Sequence, residues 1–227
     1  MASRMTPVWQ YNRPFGASTM TGTSNPLTWE AAVAITLTRP APETVAERAR
    51  EIHTAWMADP EMPAVLDGCK KYSSDWTDDY GQVLIPEYNV ERDAPPLIND
   101  ALRVMALKSA VYEMTDGDEL AAELPVPVPV DTAVHALCAQ FTALSRVQQR
   151  TGRLFVHSTV REHEAGRAWR LGDYTHQAYR STFGPVDSRY WIDEPEAERR
   201  RQILDGLYAG IGITERGMAS TIDYAAA

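Results

Sequence analysis

Three prolines at alternate positions, Pro125, Pro127 and Pro129, fix φ through a short run and push each preceding residue out of the α region. The run Pro125-Val126-Pro127-Val128-Pro129 therefore reads as extended polyproline II. It is either a spacer between two helices or a ligand for a proline-recognising module. Either way the chain must fold as segments before it and after it. Directly beyond it stands the strongest helical periodicity in the sequence. Asp131 is placed to cap this helix, and Val134, Leu137, Cys138, Phe141 and Leu144 form a single apolar stripe that runs on to Gly152. Asp131, His135 and Thr142 share one edge of that stripe. Leu154-Phe155-Val156 is extended and apolar, and His157 follows it.

Other helices are marked by their ends. Pro42 starts one that runs to about Met57, with Val45, Ala49, Ile52 and Trp56 on one face and His53 beside them as a structural histidine. Asp93 and Pro95-Pro96 start a second, about Leu97 to Met114, with Leu97, Ile98, Ala101, Met105 and Tyr112 on a broad apolar face; Asp116-Gly117 ends it. A third spans Leu171 or Asp173 to Phe183, with Tyr174, Ala178 and Phe183 inward and Gly184-Pro185 as the stop. Pro195 opens the last, with Ile203, Leu204, Leu207 and Tyr208 toward the core and Arg199-Arg200-Arg201 in solvent.

Between 58 and 96 the turn pairs Asp59-Pro60, Met62-Pro63, Asp67-Gly68 and Tyr80-Gly81 predict irregular chain, with a short strand at Val83 to Ile85. Asp75, Asp78 and Asp79 around Trp76 lack the spacing of a calcium loop and read as a solvated acidic loop. Trp29 to Leu37, with Thr28 as its cap, is ambiguous between helix and strand. Residues 1–27 form an extended arm with no sustained period and with Trp9, Tyr11 and Phe15 as its aromatics. Such an arm is either disordered or docked on a neighbouring subunit. The expectation is a mainly α fold: arm 1–27, one helical domain 28–209 with short extended segments, and a tail 210–227 whose Gly210-Ile211-Gly212 is no nucleotide fingerprint.

Thirty-one acids against twenty-two bases give a net charge of -9. That opposes a phosphate backbone as partner, so no nucleic acid is expected. Cys69 and Cys138 are too few for a disulfide framework and fit a reducing compartment. Neither a signal peptide nor a membrane span is visible, which points to the cytoplasm, or to a virion for a phage component. The Walker loop, HExxH helix, GxSxG elbow and CxxC pair are absent.

The pieces Ala106-Leu107-Lys108, Pro129-Val130-Asp131-x-x-Val134-His135, Phe155-Val156-His157, Tyr174-Thr175-x-x-x-Tyr179-x-x-x-Phe183-Gly184 and Trp191 stand in an order and spacing that resembles a known pattern. It is that of the helical domain of the glycine-rich domain-containing protein-like family, found in plants and many bacteria, actinobacteria among them. The likeness covers residues 97–191. It implies a mostly helical domain and no particular reaction, and the family's histidines invite a metal site. This chain departs from the pattern at Val134 (tryptophan in the family), at Leu137 (often a second histidine) and at His157-Ser158 (a histidine pair).

Two function classes follow. A metal centre would use His135 and His157, with Asp131, His163 or Glu164 completing the shell around zinc, iron or manganese; an open position there would activate water. The same groups also have local uses: Asp131 as a cap, His135 bonded to a carbonyl, and Glu162-His163-Glu164 as a solvated face. Cys138 in the apolar stripe reads as inert. The leading expectation is therefore a non-catalytic assembly or interaction protein without a cofactor. It would associate with itself or a larger particle, such as an actinobacterial phage, through the N-terminal arm.

Overall fold

The computed structural model describes residues 38–72, 84–157, 169–210 and 212. The chain divides into Met1–Thr36, which lies outside the described residues, and the unit Leu37–Ala227. Among the described residues that unit is helical and has no strand. Its helices are α1 Pro42–Met57, α2 Met62–Tyr72, α3 Val90–Met114, α4 Glu119–Ala122, α5 Val128–Cys138, α6 Phe141–Thr151, α7 Tyr174–Phe183 and α8 Glu194–Gly210. The mainly α expectation holds. The ambiguous segment Trp29 to Leu37, the acidic loop of Asp75, Asp78 and Asp79, and most of the tail lie outside the described residues.

Helix α3 is the axis of the fold. From Val104 to Val111 every residue is buried, because apolar side chains surround the helix on all sides and α1, α2, α4, α5 and α7 pack against it. It begins at Val90, well before the expected Leu97. Asn89 caps it by accepting from the amides of Glu91 and Arg92, and Asp93 Oδ2 accepts from the Asn89 amide at 2.7 Å. This reciprocal cap outweighs the proline signal, so Pro95 and Pro96 sit inside the helix rather than at its first position.

Three further expectations are corrected. The stretch read as irregular holds α2: Pro63 occupies its first turn, where no amide donor is needed, and Met62, Val65 and Cys69 are buried. The long helix from Asp131 to Gly152 is two helices, broken at Ala139 and Gln140. Val128 and Pro129 already belong to α5, so only the first part of the proline run stays extended, and Asp131 lies inside the first turn and caps nothing. Gly152, at φ 66°, ends α6 as expected. Leu84 and Ile85 form no strand; they pack as buried loop residues.

Helix α8 departs most. It meets the body through Ala197 and Leu204, which join Leu84, Ile192 and Val128 in a small second cluster, and through Arg200, which donates to the Leu84 carbonyl. Ile203 and Leu207, expected in the core, are 50% and 64% exposed. The side chain of Tyr208 lies outside what the structure describes. Of the three arginines expected in solvent, Arg199 is exposed, while Arg200 and Arg201 are half-buried and paired with Glu196 and Glu194.

Buried acids tie the segments together. Asp93 Oδ1 accepts from Arg189 at 2.9 Å and from the Tyr190 hydroxyl at 3.1 Å. Asp100 accepts from the Tyr179 hydroxyl at 2.6 Å and from Trp191 Nε1 at 2.9 Å, which holds residues 187–192 and α7 against α3. Burial works against ionisation of Asp93, yet Arg189 and Arg92 hold its carboxyl well below the usual range.

Candidate functional site

Five titratable side chains from four segments join in one line of contacts. Lys108 comes from the middle of α3, and its ammonium pairs with Glu123, just past α4. Lys108 Nζ also stands 3.4 Å from His157 Nδ1. The His157 ring is 5.3 Å, centre to centre, from that of His135 on α5, and His135 Nε2 lies 3.9 Å from Asp131 Oδ2 one turn earlier. Lys108 and Glu123 are inside the protein, and His135 is at the mouth, half in solvent.

Local bonds explain this convergence. Arg39 donates to the carbonyls of Ala121 and Glu123 at 2.7 and 3.0 Å and so fixes the exit from α4. The segment after α6 is laid on α3 by Ser109 Oγ, which donates to the Leu154 carbonyl at 2.6 Å. Gln148 Oε1 accepts from the Phe155 amide at 2.8 Å, and the Phe155 ring stacks on Trp56 at 3.9 Å. These contacts deliver His157 to Lys108.

Burial, then the Lys108 ammonium and then His135 push His157 down to about 4, so its ring is neutral near pH 7. Burial likewise raises the Asp131 carboxyl above its usual value, against the pull of His135 and Lys108. It also raises the Cys138 thiol and takes Cys69 up to about 12, which makes both poor nucleophiles.

The contact with Lys108 also sets the tautomer. An ammonium only donates, so Nδ1 accepts and the ring proton of His157 sits on Nε2. A metal-ligating imidazole has the reverse arrangement, a bare nitrogen toward the ion and its N–H toward a carboxylate or carbonyl. Here Nε2 carries the proton and is buried without a hydrogen-bond partner, as is Asp131 Oδ1. Among the described residues, no three His, Cys, Asp or Glu side chains are grouped to hold an ion. Asp131, His135 and His157 thus come together. His163, Glu162 and Glu164 lie outside the described residues.

Sequence reasoning did not find Glu123 and gave Lys108 no role. A lysine amid the apolar run of α3 was the available signal, since such a charge must be paired inside. Glu123 carried no periodic mark. His53 packs edge-on to Phe183 at 5.4 Å, in keeping with a structural histidine. Comparison with protein-family models, with curated proteins and with solved structures finds no match to this chain.

Proposed function

We propose that the chain is a non-catalytic assembly protein, a subunit of a larger particle such as an actinobacterial phage. Contacts would run through the arm 1–27 and through apolar surface on the helical unit. The observation that carries this reading is α8, whose Ile203 and Leu207 stand in solvent one turn apart, beside the face on which Ala197 and Leu204 meet the body. Paired apolar side chains left uncovered on one helix face suit a contact with another chain. The buried ionisable groups support the same reading: Asp93 and Asp100 join segments, and Lys108 is spent on Glu123. The net charge of -9 favours protein over nucleic acid as the partner.

Light scattering on the untagged chain, with and without Met1 to Pro26, tests this. A defined oligomer that dissociates on deletion of the arm is the expected result; a monomer at every concentration overturns the proposal. Elemental analysis of the same sample tests the alternative of a divalent-metal centre. Near-stoichiometric zinc, iron or manganese that vanishes in the His135→Ala, His157→Ala variant would replace the assembly reading with that one.

A further inference from the structure

The exposed side of α8 has a register of its own. Ile203, Gly206, Leu207 and Gly210 fall at i, i+3, i+4 and i+7, so they share an arc of about 100° at the helical angle per residue. Ile203 and Leu207 are exposed, and a Cβ built on Gly206 or Gly210 would have nothing within 4 Å. The side toward the body is a different one, marked by Ala197 and Leu204. The seam therefore alternates two apolar knobs with two open holes and carries no charge. Upstream, Glu196 is shared between Arg199, through bonds of 2.7 and 2.8 Å, and Arg200, at 2.7 Å.

We infer that this seam binds a second copy of the chain, α8 against α8, antiparallel about a twofold axis between Gly206 and Leu207. The register selects this occupant. An antiparallel pair centred there sets Leu207 of each copy over Gly206 of the other, and Ile203 over Gly210. Every large side chain then meets a hole, as close helix packing requires. A parallel pair in register would set isoleucine on isoleucine and leave the glycine holes facing each other. The contact is isologous, so it closes at two copies and leaves the arm free for other joints. This inference rests on the assembly reading and assigns it one interface.

The test is light scattering and sedimentation of the full chain over a hundredfold concentration range, with circular dichroism to confirm folding. Wild type and Gln202→Glu, which is off the seam, should share one mass. Leu207→Glu should weaken self-association at least tenfold. Gly206→Leu, which fills the hole without adding charge, should also weaken it. Equal masses for wild type, Leu207→Glu and Gly206→Leu would overturn the seam, and arm-dependent assembly in those variants would leave the broader reading standing. A wild-type chain that stays monomeric throughout would sink both.

Discussion

Lys108 on α3 and Glu123 beyond α4 form an ion pair whose side chains are only 1% and 4% exposed. Burying two charges costs several kcal/mol per ion, so such a pair is a weak source of stability but a strong constraint once present. It fixes where α4 ends against α3 and, through His157, where the segment after α6 lies.

Breaking this pair on one side should therefore cost more than removing it whole. Lys108→Met strands a buried carboxylate and is expected to lose about 3–5 kcal/mol, with Glu123→Leu similar. The double variant should lose less than the two single losses added, since neither charge is left alone. Urea unfolding of the four proteins reads this directly. Simple additivity would mean that the two side chains are not partners in solution.

The depressed His157 gives stability a definite pH dependence. Its folded value is about 4, against about 6.5 for an unfolded histidine. Between those values the unfolded chain holds a proton that the native chain does not, so stability rises with pH there. This contribution is complete above the unfolded value and is lost as pH falls toward the folded one. Asp131, whose carboxyl is raised, acts with the opposite sign, beginning at the ordinary carboxylate range and extending upward. Urea midpoints from pH 4.5 to 7 should climb in wild type and climb less in His157→Gln. Identical slopes would show that His157 is not held neutral by its surroundings.

Trp169 and Trp191 are buried tryptophans whose rings meet edge to face at 5.6 Å, yet only one uses its N–H. Trp191 Nε1 donates to Asp100, while Trp169 Nε1 has no hydrogen-bond partner. Phenylalanine at 191 leaves an Asp100 oxygen unsatisfied, a penalty of about 1–3 kcal/mol beyond the loss of ring area. At 169 it removes an unsatisfied donor and should cost only the area. Chemical denaturation should thus rank Trp191→Phe clearly below Trp169→Phe. The reverse order would contradict the Asp100 bond.

Those parts of the fold set by local chemistry were legible. Pro42 opens α1, and Gly184 follows the end of α7. Asp173 caps α7 by accepting from the His176 amide, which bears out one of the two starts read for it. What depended on distant partners was not legible. Gly68 read as a turn, but it lies within α2, where its bare Cα lets the Gln140 side chain approach; a Cβ there would sit 2.6 Å from Gln140 Oε1. Helical spacing on α8 showed an apolar face but not which neighbour covers it. In the candidate site, His135 and His157 were named from short motifs, and their rings stand 5.3 Å apart. The Lys108–Glu123 pair that gives His157 its state was not legible, because it is a tertiary contact with no spacing of its own.

The break between α5 and α6 separates two residues that the sequence places on one stripe. Phe141 and Leu144 are three apart and would share a buried face in one continuous helix. With the corner at Ala139 and Gln140, Phe141 starts α6 and is 72% exposed, while Leu144 and Val147 face the core. Leu144→Ala should therefore cost about 2–5 kcal/mol from lost contacts and a cavity. Phe141→Ala should fall within about 0.5 kcal/mol of wild type, as a surface change does. A continuous helix would make both changes severe. Thermal or urea unfolding of the two variants distinguishes the arrangements, and a multi-kcal/mol loss at Phe141 would show that the corner does not persist in solution.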